Sequence, residues 1–282
     1  MKSLKGIKAR PHDLEAMLLH RPSLVELHCS VDDLRWEPQR RYDIPLAVHL
    51  PEYDKGRLID PASLNEAERQ AAADLYAHAV ERAAVWAPFF LGAPKVVFHP
   101  GGMAVYRPTS KGLADMRRQL SKTIRAMQAA AGPEVEVLIE NLPKHCWFFG
   151  GEWLAGICTT AEEIEAICEE HGLGLTLDLC HLYLAAQAQD FDMQAAIARV
   201  KPLVRHIHYS GASGVDGEGL AIGDANNSFD VATALRSLAG VDAVAVPEVW
   251  FGHEYGGAGF VRAWEEAEVR LTALQEAAAW PS

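Results

Sequence analysis

Along most of its length the chain alternates short, nearly unbroken apolar runs with longer stretches whose apolar positions follow a helical spacing. The short runs are KGIKA, SLVELHC, IPLAVHL, PKVVFHP, EVLIEN, LGLTLDL, VRHIHYS and DAVAVPEV, with KGIKA the faintest. Continuous apolar runs of this length suit strands covered on both faces, as in a parallel sheet. Between them, PASLNEAERQAAADLYAHAVERAAVWA opens with proline and carries an alanine-rich stripe, and GLADMRRQLSKTIRAMQAAAG ends in glycine. TTAEEIEAICEEHG begins with a capping box, Thr160 with Glu163, and also stops at glycine. These spacings predict helices. Eight strands alternating with helices over 282 residues predict an α/β chain folded as one (β/α)8 TIM-barrel domain, residues 1–282. A doubly wound open sheet alternates in the same way. It normally carries a glycine-rich phosphate loop after an early strand, and LHCSVDDLRW is not one.

Polar residues collect at one end of these runs. Strand two carries Glu26 and His28, strand three ends at His49, and strand four ends at His99. Strand five ends at Glu140, and strand six delivers Asp178 and His181. Strand seven carries His206 and His208 on one side, and strand eight ends at Glu248. Taken singly, each has a plain structural reading: a lone strand-end histidine is more often a hydrogen-bonded core or rim residue, and Asp178 can cap a helix. Taken together they do not. In a closed barrel the C-terminal strand ends converge, and burying so many ionisable groups side by side costs several kcal/mol each unless something pairs with them. A divalent cation provides that pairing, and mixed imidazole and carboxylate ligands suit zinc, manganese or iron.

Composition narrows the setting. Formal charge is −12, which argues mildly against a role that holds nucleic acid by a basic face. The argument is only mild, because bound cations would supply local positive charge. Five scattered cysteines without a Cys-x-x-Cys pair read as reduced thiols, and the opening residues have no apolar signal core; both point to the cytoplasm. No apolar run reaches the roughly 18 residues of a membrane span.

The motifs HLPEY, FHPGG, IENLP, DLCH, HIHYSG and PEV, in this order, resemble the xylose isomerase-like TIM-barrel superfamily, which includes sugar isomerases, epimerases and endonuclease IV. The resemblance spans about residues 45 to 250 and implies a metal on Glu140, Asp178, His208 and Glu248. The endonuclease IV branch implies a second metal on His49, His99 and Glu140. It also implies a third on His181 with an Asp-x-His pair, for which only Asp216 is present; Glu218 or Gly219 stands in the histidine's place. One to three divalent ions per chain, zinc or manganese, are therefore expected. By the same comparison His206 falls outside the ligand set, as a core residue one layer down.

Two activities follow from such a site. The first is isomerisation or epimerisation of a small sugar, sugar phosphate or polyol, with Glu140 and Glu248 moving the proton and His181 bonding a substrate oxygen. The second is endonuclease IV-like hydrolysis at abasic DNA, with Arg35, Trp36, Arg40, Arg41 and Tyr42 as possible phosphate and base contacts. A non-catalytic metal-pocket binding protein is a third reading. Trp147, Phe148, Trp250 and Tyr255, on glycine-flanked loops, are candidates to wall in a substrate; loop packing is the alternative for each. Lys144 and Arg205 are candidate phosphate contacts, with solvated surface charge the plainer reading. His12, His20, His78 and His171 are expected on the surface of helical segments, and His253 and Glu254 near the site.

Overall fold

The computed structural model describes residues 1–279. Eight parallel strands form one sheet in sequence order: β1 (Gly6–Ala9), β2 (Leu24–His28), β3 (Pro45–His49), β4 (Leu91–Phe98), β5 (Glu136–Glu140), β6 (Gly174–Asp178), β7 (Val204–Tyr209) and β8 (Ala245–Pro247). The ends of the sheet meet where Ser3 bridges Val244 and the Ala245 N–H donates to the Ser3 carbonyl at 2.9 Å. The result is a nearly closed barrel, the TIM-barrel class expected. The faint strand is real, and Gly6 explains part of its weak signal: a Cβ there would lie 2.5 Å from Val246 Cγ2, so the seam excludes a side chain.

Helices follow seven of the eight strands: α1 (Leu14–Leu18), α2 (Glu66–Trp86), α3 (Ser110–Ala131), α4 (Ala161–His171), α5 (Leu179–Gln189) with α6 (Met193–Val200), α7 (Val231–Ser237) and α8 (Glu254–Ala279). Among the described residues, no helix is long and apolar enough to cross a membrane. The predicted capping box forms with a shifted return arm: Thr160 accepts from the Glu163 N–H, while the Glu163 carboxylate accepts from Thr159 N–H. Gly172 closes α4 in the left-handed conformation.

The β2–β3 connection is the exception. It has one 3-10 turn, Asp32–Arg35, and then extended chain. Trp36 packs edge-on against Trp86 of α2, 5.5 Å between ring centroids, and the Trp86 indole N–H donates to the Trp36 carbonyl. Tyr42 is buried and stacks on Phe90, while Arg40 pairs with Glu15 and Arg35 with Asp32. The segment therefore covers the barrel wall in place of a helix. Trp36 and Tyr42 are committed to that packing, which removes them as stacking platforms for bases.

Strand alternation then sorts the sheet's side chains. Val25, Leu27, Val48, Ile139, Leu177 and Ile207 pack in the main core. The alternate set forms the barrel interior, with Leu24, Ala47 and Val246 clustered separately toward its lower end. One step further along the same faces the interior becomes ionic.

Candidate metal centre

Five ionic residues sit two positions beyond an interior apolar or polar one on their own strands, Glu26 after Leu24, His49 after Ala47, Glu140 after Leu138, Asp178 after Thr176 and His208 after His206, and Glu248, just past the end of β8, follows Val246 in the same way. The pleat therefore aims all six inward at the C-terminal end. Glu140, Asp178, His208 and Glu248 each bring a ligand-type atom into one group, all within 4.8 Å of one another. His49, His99 and Glu140 form a second such group, sharing Glu140.

The hydrogen bonds prepare these side chains as ligands. His49 Nδ1 faces the Leu50 carbonyl at 2.9 Å and His181 Nδ1 faces that of Asn141 at 2.9 Å. A carbonyl can only accept, so each ring donates from Nδ1 and turns Nε2 into the site. His208 Nε2 donates to Glu26 at 2.8 Å, leaving Nδ1 opposite Glu140 at 3.1 Å and Glu248 at 3.4 Å. A ring nitrogen aimed inward, with the other tied to a carbonyl or carboxylate, is the arrangement that orients histidine on a metal. Asp178 ends β6 and caps α5: one oxygen accepts from the His181 N–H at 2.7 Å, and Asn141 pins its backbone through both N–H and carbonyl. The mouth position of Asp178 and His181 thus comes from a strand running directly into a helix.

The fit to a cation rests on an orphaned atom. Glu140 is fully buried, yet Oε2 has no hydrogen-bond partner among the described residues; His49 Nε2 at 3.3 Å and His99 Nε2 at 3.5 Å face it without bonding geometry. An unpartnered buried carboxylate oxygen is costly, and two imidazoles and a carboxylate around it suit zinc or manganese. Electrostatics agree. Burial would raise the Glu140 carboxyl, but His208 and His99 outweigh burial and hold it well below the carboxylate range. Burial opposes charge on His208, yet Glu26 and Glu140 lift it to about 10. His99 is likewise lifted to about 9 against burial by Glu52 and Glu140. The cluster is built to hold positive charge among carboxylates.

Three residues missed by sequence reasoning complete it. Lys8, on β1 opposite Glu26, pairs with Glu248 and lies 3.5 Å from Glu26 Oε1. Its signal was available: a lysine inside a buried strand, sharing a face with Gly6. Glu52, just past HLP, reaches within 3.6 Å of His99. Glu218, noted only as a replacement for histidine, lies 3.7 Å from His181 Nε2, its carboxyl raised by burial. Glu26 is fully buried and accepts from both His206, at 2.7 Å, and His208. His206, expected outside the ligand set, is buried two residues before His208 on β7 and forms a further ligand-type group with Glu26 and His208.

The ionic cluster floors a cavity of about 600 Å³ whose walls include Tyr53, Trp147, Phe148, Trp250 and His253. Trp147 is tied by its indole N–H to Asp216 at 3.2 Å, and Trp250 packs on Gly219, which is left-handed at φ +70°. The two tryptophans hold the Gly211–Leu220 hairpin between them. Here the structure departs from several expectations. Asp216 is engaged with Trp147 and joins none of the ligand-type groups found among the described residues, because its hairpin carries it to the wall and not the floor. Tyr255 is 93% exposed and, with Glu254, borders a separate small cleft. Lys144 donates to the Ala155 carbonyl, and Arg205 bonds the Pro202 carbonyl at the opposite end of β7, so the plainer reading of Arg205 holds. His12 lines the cavity from a turn, and the largely buried His171 side chain packs against α3 and bonds Ser121.

Among solved structures, a D-tagatose 3-epimerase-like protein superposes with a TM-score of 0.67 at 21% identity, covering 99% of this chain and 100% of its own. The apo 3-keto-D-glucoside 4-epimerase from E. coli superposes with a TM-score of 0.66 at 13% identity, covering 96% and 100%. Endonuclease IV from Thermus thermophilus gives 0.59 at 16% identity, covering 94% and 98%. No curated protein matches the sequence. Residues 36–272 match the family described as xylose isomerase-like TIM barrel, and with the barrel and its order of strand-end residues this chain belongs to that family.

Proposed function

We propose that this chain is a divalent-metal-dependent isomerase or epimerase of a small sugar, sugar phosphate or related polyol. The observation that carries the reading is the convergence of ligand-type atoms of Glu140, Asp178, His208 and Glu248, within 4.8 Å of one another, beside a cavity large enough for a small organic ligand, which Asp178 and Glu248 line. A divalent ion on these four residues supplies polarisation of a substrate carbonyl. Glu140, held ionised, takes a proton from the neighbouring carbon; Glu248 returns one to the opposite face in an epimerisation. His181 Nε2 faces a substrate oxygen, and Trp147 and Trp250 exclude water from the mouth. The five buried, unpaired cysteines suit a reducing compartment, and we place the activity in the cytoplasm.

Endonuclease IV-like hydrolysis is the second reading, supported by the additional group His49, His99 and Glu140. Two features weigh against it: Asp216 is engaged by Trp147 and joins none of the ligand-type groups among the described residues, and Trp36 and Tyr42 are packed against the barrel wall.

The test is incubation of manganese- or zinc-loaded protein with ketohexoses and their phosphates in D2O. Deuterium is expected at a carbon-bound hydrogen, with a loss of at least about 1000-fold in Glu140→Gln, as befits removal of a proton-transfer group that is also a ligand. Strand cleavage of an abasic-site duplex that EDTA and Glu140→Gln both abolish, without any exchange, would install the nuclease instead. Metal binding with neither reaction would leave a binding protein.

A further inference from the structure

Lys8 is the one lysine or arginine, among the described residues, within ion-pair reach of the candidate metal quartet. Its side chain is 12% exposed, and its ammonium contacts the Glu248 carboxylate, faces Glu26 Oε1 at 3.5 Å and lies 3.5 Å from His28 Nδ1. Strand register fixes this position, since Lys8 pairs directly with Glu26 across β1 and β2. The same Glu248 oxygen that faces His208 Nδ1 at 3.4 Å is the one the ammonium contacts. An ion centred on the quartet and the Lys8 ammonium therefore compete for one carboxylate.

We propose that Lys8 is an internal counter-cation of the metal centre: it neutralises Glu248 in the metal-free protein, and an arriving divalent ion must move it off. This rests on the quartet being the metal site. Two consequences follow from Coulomb's law at close range in a poorly solvated interior. Ion binding is weaker than the four ligands alone would make it, because a positive charge is displaced and stays nearby on Glu26 and His28. The metal-free barrel is also more stable than it would be without that positive charge beside Glu26 and Glu248.

The test is calorimetric titration of Mn2+ into the chelator-stripped full chain, as wild type, Lys8→Met, Lys8→Arg and Glu248→Gln. Lys8→Met keeps most of the side-chain length and removes the charge; it is expected to bind Mn2+ at least about tenfold more tightly, with Lys8→Arg close to wild type. Structural damage alone would loosen binding, so tightening separates the two explanations. In parallel, thermal melts of stripped Lys8→Met should fall below wild type, with a larger recovery on adding Mn2+. Should Lys8→Met prove insoluble, Lys8→Gln carries the same expectation. Equal or weaker binding in the neutral variants, while Glu248→Gln still loses affinity, would overturn the role of Lys8 and leave the quartet standing. Wild type and Glu248→Gln behaving alike, or neither binding Mn2+, would overturn the quartet and this inference with it.

Discussion

At the scale of single residues, the site is set by which nitrogen of each histidine is already occupied. His49 and His181 spend Nδ1 on backbone carbonyls and His208 spends Nε2 on Glu26, so three imidazoles reach the centre with one nitrogen turned inward. Glu26 is the least replaceable of these supports, since it is fully buried and accepts from two rings. Glu26→Gln is expected to cost roughly 10- to 100-fold in metal affinity, measured by titration. It should also cost about 3–5 kcal/mol in stability of the metal-free protein, measured by denaturant unfolding, because a buried charge loses its partner. The pH behaviour follows from the raised histidines. His208 and His99 stand at about 10 and 9 in the metal-free fold, against an ordinary 6.5. A histidine raised on folding contributes stability that is complete below the unfolded pKa and lost as pH climbs through the folded one. Melts of the stripped protein should therefore fall in Tm from about pH 7 toward pH 9 to 10. Mn2+ affinity should rise over the same window as the competing protons leave. A stripped protein whose Tm climbs across that range would contradict the charge assignment.

At the scale of elements, the walls of the cavity are loops held by specific contacts, and these were the parts least legible in advance. The hairpin between β7 and α7 could not be placed from GVDGEGLAIGDAN, because its position depends on two tryptophans arriving from connections after β5 and β8. Gly219 is the joint: its φ of +70° is in the left-handed region, and a Cβ would come 2.1 Å from Trp250 Cδ1. Gly219→Ala is expected to destabilise by about 1–3 kcal/mol and to weaken substrate binding. Its Mn2+ affinity should stay near wild type, since Glu140, Asp178, His208 and Glu248 all lie outside the hairpin itself. Loss of Mn2+ binding in this variant would show the wall and the floor to be one unit. The β2–β3 segment makes a similar point. Its arginines and aromatics read equally well as a nucleic-acid contact or as packing until Trp86 and Phe90 supply the partners.

At the scale of the whole molecule, the barrel brings together groups that lie from Lys8 to Glu248 along the chain. Its closure depends on the seam between β1 and β8, where Gly6 has no room for a side chain. Gly6→Val is expected to lower Tm sharply and to reduce metal affinity together with it, because a side chain there pushes on Ala245 and Val246 and so displaces the ligand Glu248 just beyond them; loss of stability without loss of affinity would argue against that coupling. A divalent ion on residues from β5 through β8 should act as a cross-strand staple. At about one hundred times its Kd it adds about 2.7 kcal/mol, which for a chain of this size is a Tm increase of roughly 5 °C in differential scanning calorimetry.

The linear order of residues was enough to determine the alternation of strand and helix, the end of the strands where chemistry collects, and the residue types that meet there. Those properties are periodic or local: a buried strand reads as an apolar run, and a polar residue at its end stands out against it. Closure decided the rest. Lys8 has significance only because β1 is folded beside Glu26 and across the seam from Glu248, and Asp216 is drawn away only because Trp147 is there to hold it. Both are long-range pairings, made by the register of strands and the reach of loops; a lysine in a buried run stands out in the sequence, but the partner that gives it a role does not.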